Sequence, residues 1–290
     1  MADRLLYATP TGKHPHPAFV ASARTIELTC RSFERNVHDF LFAAGPVQMA
    51  RSTIAEHAIN DGYDYLLMHD DDLVVNPSSK VGNPLDVWHD VFYREKDVGV
   101  IGAVYLRESP MIPAVVMSHP DYPEENCHVV SGLPPAPMAV SGIATGFMMI
   151  RVSALRELRD KEDGAHTLFR FTFNMTRWGI VNNTGEDYDF CARMRANGYK
   201  VLADARFDTC HIKESGRLAY NQAEWERSWD DNAPGIRERV QALRAQCQPK
   251  MALKAINGTL CIDHTPQLAF EAEETARVRA KRAGAAKEAA

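Results

Sequence analysis

Apolar positions along this chain change their period repeatedly, and each change marks an element. Leu5-Leu6-Tyr7-Ala8 is a short continuous apolar run closed by the turn cluster Thr9-Pro10-Thr11-Gly12. It predicts a buried first strand whose carboxyl end opens into a loop. Helical spacing follows from about 18 to 42, and Gly45-Pro46 breaks it. A second helix then carries Val47, Ala50, Ile54 and Ala58 on one face until Asn60-Asp61-Gly62 stops it. Tyr63-Asp64-Tyr65-Leu66-Leu67-Met68 is a compact strand that ends abruptly in His69-Asp70-Asp71-Asp72, and Leu73-Val74-Val75 continues beyond it. After a helical stretch around 84–95, Val98 to Tyr105 is β-branched and apolar. Strand alternating with helix in this way predicts an α/β domain with a mostly parallel sheet flanked by helices.

The second half is less regular. Residues 107–141 are rich in Pro and Gly and read as a long loop or a small hairpin insertion, a kind of segment that in compact domains usually serves function. Gly146-Phe147-Met148-Met149-Ile150 is again a strand, and 164–185 is a second irregular stretch with several aromatics. A helix opens at Thr184-Gly185-Glu186-Asp187 and ends at Asn197-Gly198, before the strand Tyr199 to Ala203. Beyond His211 the pattern turns helical through Trp225, Trp229 and Val240. From Glu271 the chain is rich in Ala, Glu, Lys and Arg, which predicts a solvated helix or frayed tail. The expected division is an α/β domain over 1–215, a C-terminal helical extension over 216–270 and a charged Ala-rich tail over 271–290.

Composition narrows the class. Of 290 residues 45% are hydrophobic and 24% charged, which excludes wholesale disorder, collagen-like sequence and a long coiled coil. A net charge of −5 argues against non-specific polyanion binding by the whole surface and leaves a local basic groove open. No apolar run reaches the ~18 residues of a membrane helix. The start of the chain lacks the apolar core of a signal peptide, so a cytoplasmic protein is expected. The six cysteines form no CxxC pair and read as reduced, buried thiols.

Three places carry candidate chemistry. Asp70, Asp71 and Asp72 follow an apolar strand directly, at the carboxyl edge of the sheet where α/β proteins bind ligands. On an extended backbone Asp70 and Asp72 point to one side, which suits a hard divalent cation. The bland alternative is a solvated acidic turn. Glu186 and Asp187 lie in the first turn of a helix, where acids favour the macrodipole and where Thr184 and Asp187 could form a capping box. Carboxylates held like this also serve as general bases. His211 follows a strand, as an ordinary packed histidine or as a ligand. His14, His16, His57, His69 and His119 have no such context.

Taken in order, these stretches resemble glycosyltransferases of the GT-A fold, of the family 2-like type found in bacteria and phages. The likeness covers about residues 4–215. It is carried by Leu5 to Thr11, by Ala50-Arg51, by Asp70-Asp71-Asp72 as an Asp-x-Asp motif, by Ser141 to Phe147, by Gly185-Glu186-Asp187 and by His211. Ser52 stands where the family often has Asn. The resemblance implies a nucleotide-diphosphate sugar, a UDP-sugar first among them, lying across the carboxyl ends of the first strands of a Rossmann-like sheet. Thr9 and Thr11 would line the nucleoside pocket, Arg51 would sit near ribose or diphosphate, and Asp70, Asp71 and Gly146 would meet the donor. Asp70, Asp72 and His211 would hold Mn²⁺ or Mg²⁺, and Asp187, with Glu186 as fallback, would be the catalytic base.

The acceptor implied is a hydroxyl of a glycan, a protein or a hydroxymethylated DNA base, in a bacterium or a phage-infected cell. Trp178, Trp225 and Trp229 could stack on it. The basic set Arg193, Arg195, Lys200, Arg206, Lys213 and Arg217, with the tail from Arg277 to Lys287, could meet phosphates, although a solvated helix face accounts for most of these charges. Two rivals stand beside this reading. One is a metal-dependent nucleotidyltransferase, against which Thr9-Pro10-Thr11-Gly12 lacks a Gly-rich phosphate loop. The other is a non-catalytic carbohydrate-binding protein on the same fold.

Overall fold

The computed structural model describes residues 3–11, 15–33, 37–39, 46–77, 81–107, 112–118, 126–162, 168–175, 181–213, 216–223, 252–257, 259–263 and 276. Strand β1 (Leu5–Ala8) leads to helix α1 (Pro17–Thr29), β2 (Val37–Asp39) and α2 (Val47–Asn60). Then come β3 (Tyr65–His69), β4 (Leu73–Asn76), α3 (Pro84–Arg94) and β5 (Val98–Ala103). The insertion supplies β6 (Val115–Ser118), β7 (Asn126–Ser131), β8 (Met138–Ala139) and β9 (Gly142–Ile143). It is followed by β10 (Phe147–Arg151), α4 (Val152–Lys161) and the hairpin β11 (Thr172–Met175) with β12 (Val181–Thr184). The chain continues through α5 (Glu186–Ala196), β13 (Lys200–Asp204), β14 (Asp208–Lys213), β15 (Gly216–Tyr220), β16 (Ala252–Ile256) and β17 (Thr259–Asp263).

The centre is a seven-stranded sheet in the order β2-β1-β3-β10-β5-β13-β8. Strands β1, β2 and β3 are parallel, as are β5 and β13, while β10 runs antiparallel between β3 and β5. The sequence's reading of an α/β domain with a mostly parallel sheet flanked by helices describes this architecture, and the antiparallel β10 and β8 make the sheet mixed. Its strands read as unbroken apolar runs because both faces are covered. Leu6, Ala8, Leu66, Met68, Met148 and Ile150 pack into one core with residues of α2, α4 and α5. Their neighbours Leu5, Tyr7, Leu67, Phe147 and Met149 alternate to the other face and pack with Phe19 and Ile26 of α1 and Trp88 and Phe92 of α3.

Helix starts follow local chemistry. His16 and Asn83 accept hydrogen bonds from the amides of Ala18 and Leu85, with Pro17 and Pro84 in the first turns that follow. Gly62, at φ 70°, takes the left-handed conformation that ends α2.

Two stretches differ from their predicted type. The helical pattern read from 18 to 42 ends at Thr29, because the Asp86 carboxylate accepts hydrogen bonds from the amides of both Arg31 and Ser32 at 2.8 Å and pulls the chain out of the helix. In the extension read as helical after 215, the described residues form strands β15, β16 and β17, with Gln222 and Ala223 helical. Strand β15 pairs with β14, and β16-β17 adds to β7, β6 and β9 in a five-stranded sheet. Trp178, Trp225, Trp229, the helical pattern to Val240 and the basic tail from Arg277 lie outside the described residues.

Candidate active site at the carboxyl edge of the sheet

The end of β3 sets the position of the acidic run. The amide of Asp70 donates to the Gly146 carbonyl at 2.8 Å, just where β10 begins opposite His69. Gly146 is there because nothing larger fits: a Cβ would lie 2.7 Å from the ring of Tyr105. The amide of Gly146 donates to the Tyr105 hydroxyl at 3.2 Å. Burial, reinforced by the carboxylates of Asp70 and Asp187, pushes that hydroxyl well above its ordinary pKa, so it stays protonated. Gly146→Ala is expected to displace the ring and to cost about 1–3 kcal/mol, the usual penalty of overpacking, read by urea unfolding.

Arg51, on α2, is buried between two acids from distant parts of the chain. Its Nη2 reaches Asp70 Oδ1 and Oδ2 at 2.9 and 2.8 Å, and its Nη1 donates to Glu186 Oε1. Burial alone would lower its pKa, but Asp70, Glu186 and Asp187 overcome that and raise it. The guanidinium therefore faces protein carboxylates on two sides. The resemblance places Arg51 against ribose or diphosphate, whereas here it ties the end of β3 to the start of α5.

That tie fixes Asp187, one residue on. Gly185 is the helix cap and makes no side-chain cap bond, so the capping box expected of Thr184 and Asp187 is not formed. Instead Asp187 Oδ1 accepts from the following amide, Tyr188 N, at 2.9 Å. Burial, and then the neighbouring charge of Glu186, raise the Asp187 pKa from 3.8 to about 6, with Arg51 and the backbone bonds opposing.

Asp72 sits at the start of β4, and β14 runs antiparallel beside it with His211 opposite Leu73. The Ile212 amide donates to the Asp72 carbonyl at 2.7 Å, which locks that register. His211 Nδ1 lies 2.9 Å from the Leu106 carbonyl. A carbonyl only accepts, so Nδ1 carries the hydrogen, and Nε2 is turned toward Asp72 Oδ2 at 3.4 Å. The Lys213 ammonium reaches the same oxygen at 2.7 Å. Burial works against the Asp72 charge, yet His211 and Lys213 prevail and lower its pKa from 3.8 to about 2.

This pair fits a hard divalent cation: an imidazole Nε2 oriented by a backbone carbonyl faces a carboxylate oxygen, as in many metal sites. Among the described residues no three His, Cys, Asp or Glu side chains gather into a full shell. A site of two protein donors completed by phosphate oxygens and water is common for Mg²⁺.

The remaining candidates fall around this centre. Thr9 and Thr11 are buried just beyond β1, and the Thr11 hydroxyl donates to Asp71 Oδ2. Several of the basic residues are occupied within the fold. Arg193 pairs with Asp189 and Glu162, Lys200 with Glu95 and Asp97, and Arg206 with Asp204. Among the described residues of that set, Lys213 is the one that holds an acid of the Asp70–Asp72 run. Tyr105, whose ring packs edge-on against His211 with centroids 5.1 Å apart, was not singled out from the sequence. Its position just past an apolar strand, at the same sheet edge, is the signal it offered.

No protein-family model matches the chain, and no curated protein matches it. Among solved structures it is similar to A197 from STIV, with 14% identity, a TM-score of 0.46, and coverage of 75% of this chain and 94% of that one. It is similar also to a UDP-glucose pyrophosphorylase from Acinetobacter baumanii, with 12% identity and a TM-score of 0.36 over 79% of this chain and 72% of that one. A third is a glycosyltransferase involved in the glycosylation of the major capsid of PBCV-1, with 11% identity and a TM-score of 0.28 over 56% and 68%. Among the described residues no helix is long and apolar enough to cross a membrane.

Proposed function

We propose that this chain is a glycosyltransferase that moves a sugar from a nucleotide-diphosphate donor to a hydroxyl acceptor, with Mn²⁺ or Mg²⁺ held between Asp72 and His211. The observation that supports it best is Asp187, a carboxylate with a pKa raised to about 6 at the same sheet edge. A base with a pKa near the working pH is what an acceptor hydroxyl requires.

In direct transfer the acceptor oxygen forms a bond to the anomeric carbon as its proton passes to Asp187. The bond from that carbon to the diphosphate oxygen breaks, and the nucleoside diphosphate leaves with the bonding pair. The cation, when bound, supplies electrostatic stabilisation of the diphosphate as its charge grows. Asp72 and His211 would hold it there. Arg51 keeps Asp70 and Glu186 fixed, and through them the position of Asp187. Tyr105, kept protonated, packs beside His211 and holds its ring in place.

The nucleotidyltransferase alternative makes no use of Asp187. Its nucleophile would be a sugar phosphate, already ionised, which has no need of a base like Asp187. The acceptor class stays open among glycan, protein and modified DNA. The test is release of nucleoside diphosphate from UDP-, GDP-, ADP- and TDP-sugars, with Mn²⁺, Mg²⁺ or EDTA. Cation-dependent release from one donor, lost in Asp72→Ala, is expected. Pyrophosphate release from a nucleoside triphosphate and a sugar phosphate would replace this reading with the alternative.

A further inference from the structure

We infer that Lys213 is a donor-site residue that exchanges partners, resting on Asp72 in the empty site and moving to the diphosphate when donor and cation bind. The inference rests on the proposed nucleotide-sugar reading and assigns the site a ligand-binding cation.

Geometry supplies the first argument. Lys213 and His211 are two residues apart on β14, so both side chains leave the strand on the same face, and both reach Asp72 Oδ2, at 2.7 and 3.4 Å. A divalent cation seated between Asp72 and His211 takes the oxygen on which the ammonium now rests. Two positive charges sharing that oxygen would lie about 4 Å apart and repel in a partly buried site, which drives the ammonium toward another anion.

The second argument is the contrast with Arg51. That side chain is 6% exposed, and both of its Nη groups are fastened to Asp70 and Glu186, so the guanidinium is held in place and cannot swing to follow a ligand. Lys213 is 30% exposed, on a flexible stem, and among the described residues its carboxylate partner is Asp72, itself 28% exposed. A compact ammonium with rotatable donors is suited to phosphate oxygens as a point charge. The diphosphate, bound to the same cation, is the anion within reach of the released side chain. There it would add positive charge on the side of the leaving group, while Asp187 serves the acceptor.

Lys213→Met separates the two roles because they have opposite signs. Removing the ammonium frees Asp72 for the cation and deprives the diphosphate of a ligand. Titration calorimetry with Mn²⁺ alone is expected to show affinity rising about threefold or more, the mark of a lost competitor. With Mn²⁺ saturating, the affinity for whichever of UDP, GDP, ADP or TDP the wild type binds is expected to fall about tenfold or more, the worth of one charge-assisted bond. Lys213→Arg should keep most of the diphosphate affinity. A lysine with only a structural part would not move the two affinities in opposite directions, and unchanged or weaker Mn²⁺ binding in Lys213→Met would overturn the exchange. Unchanged nucleotide affinity would overturn it too. Failure of the wild type to bind any nucleoside diphosphate would instead remove the glycosyltransferase reading, and this inference with it.

Discussion

Replacing Asp187 with asparagine is expected to slow sugar transfer by about 10²- to 10⁴-fold, the usual worth of a positioned general base. Donor binding should change little, because no donor contact is assigned to this side chain. Asparagine keeps the shape of the residue and its hydrogen bond from the Tyr188 amide, but it cannot take a proton. The wild-type rate should also fall as pH drops through about 6, where Asp187 becomes protonated. That limb should disappear in the variant.

Stability gives an independent reading of the same pKa. A carboxylate raised from 3.8 to about 6 binds its proton more tightly in the folded chain than in the unfolded one. The stability this contributes is fully present below pH 3.8 and is lost as pH rises through about 6. Asparagine stays neutral throughout. At pH 7.5 Asp187→Asn should therefore be more stable than the wild type by about 1–2 kcal/mol, an amount reduced from the full shift because the side chain is partly open to water. A less active and more stable protein is the pattern of a functional carboxylate held at a cost to the fold. If urea unfolding showed the variant to be less stable, Asp187 would be a structural acid and the assignment of the base would fail. Glu186, the fallback, differs in kind: its Oε1 is held by Arg51, so Glu186→Gln should act chiefly through loss of that pair.

The parts of the fold that were legible are those in which local pattern and burial agree. Strands β1, β3, β5 and β10 stood out because helices cover both faces and leave no polar alternation to confuse with anything else. The short strand β15 was read as helix because its signal is only Leu218 and Tyr220, at period two, in a run of five residues. The end of α1 was missed for a tertiary reason, since Asp86 is more than fifty positions away from the amides it captures. The site divides along the same line. Asp70 to Asp72 were readable because three acids directly after an apolar strand are unusual locally, whereas Asp187 opens a helix, where acids are ordinary, and stood out only beside the other stretches. What each acid meets was not readable. Arg51 and Glu186 are 135 positions apart, and Lys213 and Asp72 are 141 apart, and no local pattern reports such a pairing.

Arg51 is where that hidden pairing matters most. Arg51→Met is expected to destabilise the fold by about 3–5 kcal/mol, the usual cost of removing one partner of a buried ion pair. The loss comes less from the missing attraction than from what remains, because Asp70 and Glu186 would face each other across a site already desolvated, with Asp187 beside them. Arg51→Lys keeps the charge but has no planar fork to span two acids on different elements, so it should recover only part of the stability. Neutralising the acids tests the cause. Adding Asp70→Asn and Glu186→Gln to Arg51→Met removes the uncompensated charge and should return a large share of the lost stability, although each change alone weakens the wild type. Urea unfolding of the set reads the coupling directly. A loss below about 1 kcal/mol in Arg51→Met, the scale of an exposed pair, would mean that water answers these carboxylates, and the link from β3 through Arg51 to α5 would not hold.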